Sequence, residues 1–388
     1  MESVKKVRLS DISELITKGT TPTTLGYEFQ DEGVNFLKIE CFDEYGGFVE
    51  DKLAHISDEC NKKLKRSQLQ AGDILFSIAG AIGRVAIVTE QMLPANTNQA
   101  LAIIRINRDD VYIPYIRLLL TTPIVKKQFE RKKQGVAQLN ISLKDINELT
   151  IPLPNKIQQI QCVSLFNRID GVINARRLEL KKLDELIKAR FVEMFGDPVN
   201  NPKGWQKKQL QELVTDDCTI SYGIVQTGDD QEEGVPVFRP VDIVNHIPTR
   251  SELKRTTEEI SNKYKRTILK GRELLITVRA NIADTYIVGE DFSGCNVGRG
   301  IVPIRTNEDV ITLEFLKHQI ESKHLNDNIK ALAKGITLIQ LNMEDLRELC
   351  LIVPPLSEQQ SFVRFAKQVD KSKSHKKTNY KTNNKLAS

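Results

Sequence analysis

The 388-residue sequence predicts an α+β protein: two similar domains separated by a long coiled-coil helix, with a second, shortened helix after the second domain. Three observations predict it. Residues 73–170 return at 273–370, in register and without an insertion. Asp73-Ile74-Leu75 becomes Glu273-Leu274-Leu275, Arg105-Ile106-Asn107 becomes Arg305-Thr306-Asn307, and Asp145, Glu148, Leu149 and Pro154 return as Asp345, Glu348, Leu349 and Pro354. A period of about two hundred residues is far above that of solenoid repeats, which run ~20–50, so it marks a duplicated domain. Second, from Phe166 the residues Ile169, Ile173, Arg176, Leu180, Leu183, Ile187, Arg190 and Met194 alternate spacings of three and four, an a/d heptad seam. Third, a chain of this length exceeds one ordinary core.

The first domain, residues 1–154, opens with an amphipathic segment, Val7 to Ile16, followed by turn-rich sequence around Lys18-Gly19-Thr20-Thr21-Pro22. Strands are expected at Asp73–Ile78, Arg84–Val88 and Ala100–Ile106, where Ile and Val are bordered by Gly, Asn and Asp. A helical stretch follows from Ile113 to about Lys132, and a strand from Leu149 to Pro154 closes the domain. The central helix takes residues 155–196, entered through a capping box (Asn155, Gln158) and stopped at Phe195-Gly196-Asp197-Pro198. The second domain, 197–355, repeats the order: Leu210–Val214, strands at Glu273–Val278, Thr285–Val288 and Gly300–Ile304, a helical stretch Leu313–Leu332 and a closing strand Leu349–Pro355. A shortened helix, 356–371, with a second capping box (Ser357, Gln360), and a basic disordered tail, 372–388, complete the chain. Only Val363, Ala366 and Val369 continue a seam there, so Leu180 to Met194 of the central helix is expected to lack a partner within the monomer and to await another polypeptide.

The net charge of +5 is misleading until located: the tail from Lys371 holds six lysines and no acid, leaving residues 1–370 at about −1. Any nucleic-acid site must then come from local clusters such as Lys62-Lys63-Leu64-Lys65-Arg66 and the run Lys126 to Lys133, which also arise on solvated helix faces. No apolar run approaches the ~18 residues of a membrane span, and Met1 to Ser10 lacks the core of a secretory signal, so the expected location is cytoplasmic. The six cysteines contain no C-x-x-C pair and are expected to be reduced and buried. There is no phosphate-binding loop, dinucleotide fingerprint or H-E-x-x-H motif, and Asn201-Pro202 lacks the rest of an amino-methyltransferase site. His318 and His324 share a helix and are read as surface or partly buried residues; Asp145/Asp345 and Glu148/Glu348 are read as capping or turn residues. The chain is therefore expected to have no catalytic residues and to bind no metal.

Several segments resemble the specificity (S) subunit of type I restriction-modification systems. Arg190-Phe191-Val192-Glu193-Met194-Phe195-Gly196-Asp197-Pro198, followed by Asn201-Pro202-Lys203-Gly204-Trp205, looks like that family's junction between its central helix and second target-recognition domain. Pro355-Leu356-Ser357-Glu358-Gln359-Gln360 resembles its entry to the distal helix, and Gly72-Asp73-Ile74-Leu75-Phe76-Ser77 and Gly335-Ile336-Thr337 with Leu341-Asn342 resemble its scaffold elements. The resemblance spans roughly residues 4–370. It implies a non-catalytic subunit whose two target-recognition domains each read one half of a split, asymmetric site in double-stranded DNA. It further implies two modification (methyltransferase) subunits and restriction (motor-nuclease) subunits as partners. S-adenosylmethionine, ATP and magnesium would sit on those partners and none on this chain. In the family the distal helix continues for several heptads; here the seam fades near Asp370, which reads as a truncated variant.

Bases are read by polar side chains on loops, while phosphate contacts position without specifying. Readers should then be polar loop residues that differ between the copies. The early loop supplies Lys18, Thr20 and Thr21 in one copy and Ser221, Tyr222 and Gln226 in the other. The turn after the first repeated strand supplies Arg84 against Arg279 and Asn281. The segment before the closing strand supplies Gln134, Gln138 and Asn140 against Lys334, Thr337 and Gln340. Asn98 and Gln99 face Arg299 at a fourth place, beside Asn96/Asn296, whose recurrence suits a structural turn. For each residue a solvated loop is the competing reading. Phe166, Ile169, Ile173, Leu180, Leu183, Ile187 and Met194 are the candidate seam and partner contacts. A helix of about 40 residues spans ~60 Å, so two reading heads stand at most about seventeen base pairs apart, and nearer one helical turn once domain width is counted. The competing reading of the whole chain is a protein–protein scaffold with duplicated interaction domains.

Overall fold

Side-chain alternation along two strands organises each half of the chain. In the computed structural model, which describes residues 4–43, 45–130, 141–244, 248–335 and 339–385, β5 (Ile74–Ser77) lies antiparallel between β6 (Val85–Ile87) and β8 (Leu101–Arg105). Ile74, Phe76, Ala102 and Ile104 enter one core, with Tyr115, Ile116 and Ile151, while Leu75, Leu101 and Ile103 enter another, with Phe42 and Met92. A period of two with both faces covered is the reason these runs read as continuously apolar. Burying each of the Ile, Leu and Phe side chains contributes about 1.5–3 kcal/mol. The second copy repeats it: in β13 (Leu274–Thr277), Leu274 and Ile276 face one core and Leu275 the other. The chain divides into two units, Met1–Ala175 and Arg176–Ser388, the boundary falling inside the central helix.

Within each unit the sheets correspond. A mixed sheet joins β3 (Val34–Leu37) antiparallel to β4 (Ala54–Ile56) and parallel to β7 (Ala95–Thr97). Its counterpart joins β11 (Val235–Phe238) to β12 (Lys254–Thr256) and β15 (Asn296–Val297) in the same senses. This sheet was not expected from sequence, because its strands are two to four residues long and their pairing partners are remote. The opening and closing strands pair in both units, β1 (Lys6–Arg8) with β9 (Thr150–Pro152) and β10 (Lys207–Gln209) with β17 (Cys350–Ile352). Asp73 and Arg105 form a two-pronged ion pair at 2.7 and 2.8 Å beneath one sheet, and Glu273 with Arg305 repeats it at 3.2 Å.

One difference has a local cause. In unit 1 β2 (Leu15–Lys18) adds to β8, making four strands; in unit 2 β16 (Ile301–Ile304) pairs only with β13, and β14 (Thr285–Ile287) lies on β13's other side. Glu14 N donates to Arg105 O, so the backbone N–H and C=O groups of the alternate residues Leu101, Ile103 and Arg105 face β2. At the Ile103 position the second copy has Pro303, which offers no N–H to an added strand.

The helical stretches expected at Ile113–Lys132 and Leu313–Leu332 are each broken in two. Ile113–Thr121 stops where Thr122, extended at ψ 156° before Pro123, cannot stay helical, and Pro123–Glu130 restarts. In the second copy Leu313–Ile320 and Lys323–Leu332 are parted at Ser322, whose hydroxyl donates to Gln319 O. The central helix runs unbroken over Lys156–Phe195, as expected. Asn155 Oδ1 accepts from Gln158 N at 2.9 Å and starts it. The second expected capping box does not form: the last helix starts at Leu356, ahead of Ser357. Instead the neighbouring glutamine acts in both copies. Gln159 is buried, accepting from Tyr112 N and donating to Asp110 O and Pro154 O, and Gln359 likewise holds Thr312 N, Val310 O and Pro354 O.

The junction motif is a helix stop. Gly196 takes φ 77°, and a Cβ there would meet Pro202 Cγ at 2.6 Å. Lys203 Nζ donates to the terminal carbonyls of Glu193 and Met194, and Trp205 Nε1 donates to Phe195 O.

The expectation that Leu180 to Met194 lacks cover is overturned. Ile187, Phe191 and Phe195 are buried in the core of unit 2, with Leu183 and Met194 packed beside them. Phe191 and Phe195 stand 5.4 and 5.7 Å from Phe362 of the last helix, centroid to centroid, and Lys373 Nζ reaches Asp184 at 2.6 Å, so the two helices run antiparallel. A heptad seam states that a stripe needs cover but not what supplies it; here a phenylalanine cluster of the same unit does. Ile173 and Leu180 are half-buried, while Phe166 and Ile169 stay 50% and 49% exposed. The last helix also extends past the expected 356–371, over Leu356–Lys385, because no glycine or proline interrupts the lysine-rich segment. Two cysteines depart from expectation: Cys162 and Cys350 are exposed, the other four buried, and all six are free. Ser142 and Asp145 form a capping box, as the turn reading of Asp145 required. Among the described residues no helix is long and apolar enough to cross a membrane, and no group of three or more His, Cys, Asp or Glu is placed to hold a metal ion.

Candidate nucleic-acid interface

Glycine positions the early loop in both units. A Cβ on Gly223 would lie 1.9 Å from Val297 O, and one on Gly19 would lie 1.8 Å from Thr97 O. Only glycine lets the loop backbone rest on β15 or β7. Tyr222 is thereby held against the closing segment. Its hydroxyl accepts from Gln340 Nε2, and Gln340 Oε1 accepts from Arg279 Nε. Three loops far apart in sequence, each expected to read bases, thus converge on one chain of contacts. The backbone supports it: Lys334 and Gln340 exchange N–H···O bonds at 3.0 Å, and Leu341 N donates to Val278 O. Lys334, Gln226, Asn281 and Arg299 present exposed side chains, and Ser221 is half-buried beside Tyr222.

Beside Tyr222 lies a cleft of about 420 Å³, lined by Ser221, Tyr222 and the turn 262–267, whose Lys263, Lys265 and Arg266 are exposed. These three repeat Lys63, Lys65 and Arg66 of the first copy at the same spacing of 200. The duplication therefore reaches back well before residue 73, through Ser57/Thr257, whose side chains cap the short helix leading to each basic turn. Sequence reasoning noticed the first cluster and missed the second; extending the repeat backward would have found it. The recurring asparagines hold these turns. Asn96 is buried, donating to Asn61 Oδ1 and Leu64 O, and Asn296 donates to Ser261 Oγ and accepts from Thr267 Oγ1 at 2.7 Å.

In unit 1 the expected readers are more dispersed. Lys18 is exposed at the end of β2, opposite Ala102. Thr20 is half-buried, and the Thr21 hydroxyl donates to Gln99 Oε1. Asn98 Oδ1 accepts from Ala100 N, which makes it a turn residue. Arg84 is a correction: its guanidinium donates to Phe42 O at 2.7 Å and Ile39 O at 3.3 Å, tying down a loop of its own unit. Gln134, Gln138, Asn140 and Thr337 lie outside the described residues.

Comparison with known proteins agrees with this duplicated arrangement. The family model for the type I restriction modification DNA specificity domain matches residues 1–184 and again 202–384. The putative type I restriction enzyme MjaX specificity subunit of Methanocaldococcus jannaschii is 24% identical, over 93% of this chain and 85% of that one. The EcoBI specificity subunit of Escherichia coli is 21% identical over 61% of this chain and 54% of its own length. A chain solved in work on complex assembly and conformational transition of the type I restriction-modification system superposes with a TM-score of 0.65 at 20% identity, covering 100% of this chain and 95% of that one. The type I S subunit from M. genitalium gives 0.51 at 12% identity, covering 98% and 94%. With both halves of the chain matched by the same domain model, this protein belongs to the family of type I restriction-modification specificity subunits.

Proposed function

We propose that this chain reads double-stranded DNA without catalysing a reaction itself, each unit reading one half of a bipartite, asymmetric site. The observation that carries the reading is the pairing, in unit 2, of a polar reading cluster (Tyr222, Arg279, Gln340) with a basic turn (Lys263, Lys265, Arg266), on a scaffold whose other copy bears different polar residues. Lysines and arginines on the turn hold phosphates, and the cluster addresses base edges. The central helix serves as the spacer, leaving an unread gap of about one helical turn. Two modification subunits and the restriction subunits take their target from this chain, and S-adenosylmethionine, ATP and magnesium act on those partners in the cytoplasm.

Methylome sequencing of cells with and without this chain and its modification partner tests the proposal. A bipartite motif that appears only with the chain supports it; methylation without sequence preference refutes it. Lys265→Ala with Arg266→Ala should weaken binding uniformly across sequences and lower the salt slope by about one for each phosphate no longer held. Duplex retention that is insensitive to salt and sequence would favour a protein–protein scaffold instead.

A further inference from the structure

We infer that Arg279 reads a guanine in the half-site recognised by the second unit, and that Gln340 and Tyr222 are positioning residues that aim it. The inference rests on the DNA-reading role proposed above and assigns one base within it. Arg279 uses only Nε among the described residues, donating to Gln340 Oε1, while Gln340 Nε2 is in turn anchored on the Tyr222 hydroxyl. No described residue accepts from Nη1 or Nη2 of Arg279, so among the described residues the two terminal nitrogens form a free fork whose direction the Nε bond to Gln340 sets. Half-burial of Arg279, Gln340 and Tyr222 restrains all three side chains. The backbone adds to this, because residues 279 and 340 face each other across an antiparallel bridge.

A two-pronged donor held in one orientation needs two adjacent acceptors. In the major groove guanine alone presents them, as O6 and N7; adenine pairs N7 with a donor, thymine pairs O4 with a methyl group, and cytosine offers a donor. A phosphate would accept from such a fork too, but a phosphate contact gains little from aiming by three loops. Exposed cations suited to that task already stand nearby in Lys263, Lys265 and Arg266. The first unit cannot repeat this readout. Its counterpart of Arg279 is Ala79, whose carbonyl accepts from Ser77 Oγ at 2.9 Å. The same scaffold position therefore reads in one half-site and is silent in the other, which makes the two halves unequal.

The test uses the full chain with its modification partner, comparing methylation across a library randomised at every position of both half-sites. Arg279→Ala should make one guanine of one half-site degenerate, losing about 5- to 150-fold in discrimination at that position, with the other positions and the other half-site unchanged. Arg279→Lys, which keeps the charge and removes the fork, should relax the same base. Gln340→Ala and Tyr222→Phe should relax it more weakly, and Gln340→Ala should add nothing to Arg279→Ala. Uniform weakening at all positions by Arg279→Ala, or relaxation of a base other than guanine, would overturn the assignment while leaving DNA reading intact. Relaxation of a different base by Gln340→Ala would overturn its positioning role. A wild-type chain with no base preference at all would instead refute the underlying role.

Discussion

Replacing Phe191 by alanine would remove a ring that is 2% exposed and sits among three others, 5.2 Å from Phe195, 5.5 Å from Phe315 and 5.4 Å from Phe362. Phe→Ala in a core costs about 3–5 kcal/mol, the cavity included. Ring pairs of this geometry contribute about 0.5–1.5 kcal/mol each beyond their area, so three of them place the expected loss at the upper end, near 5 kcal/mol. At 2–4 °C per kcal/mol for a unit of this size, the melting temperature of unit 2 should fall by roughly 10–20 °C. Phe166 on the same helix is 50% exposed, and Phe166→Ala should cost less than about 1 kcal/mol. Urea titration followed by circular dichroism, with hydrogen exchange to locate the opening to the antiparallel helix pair, measures both. Equal losses from the two variants, or a loss below about 1 kcal/mol for Phe191→Ala, would refute the account in which the second half of the central helix belongs to the core of unit 2.

Two other residues of unit 2 carry further predictions. Burial holds the His318 imidazole down at about 4, with Lys317 and Lys373 adding to the effect and Glu321 and Asp370 opposing it, while its ring packs edge-on against Phe362. The folded state thus favours the neutral ring, so its contribution is full above the unfolded value of about 6.5 and is lost as pH falls from there through 4. That amounts to roughly 3 kcal/mol, and His318→Gln should flatten stability over this window; an unchanged pH profile would refute the assignment. Gly223→Ala should force the early loop off β15, at a cost of about 1–3 kcal/mol or more, because the new methyl would sit 1.9 Å from Val297 O. Methylation mapping should then show the second half-site degraded and the first retained, and equal loss at both would contradict the independence of the units.

What the sequence by itself determined is whatever repeats over a short window. Runs of Ile and Val bordered by Gly, Asn and Asp placed β5, β8, β13 and β16, the spacing of three and four drew the central helix, and glycine with proline ended it at Gly196. These follow from local geometry, so a stretch of ten to twenty residues contains the whole signal. The duplication was legible for a related reason: a scaffold keeps its apolar spacing while its loops diverge. Tertiary structure decided the rest. Arg84 and Arg279 look alike as exposed loop arginines, yet one donates from a terminal nitrogen, Nη1, to the carbonyls of Ile39 and Phe42, while the other's terminal nitrogens meet no acceptor among the described residues. Tyr222 meets Gln340 across 118 residues of chain, and no local window holds that contact. The cover for Ile187 and Phe191 was likewise undetermined, because an apolar stripe buries equally well against any complementary surface, and only the folded chain selects which one arrives.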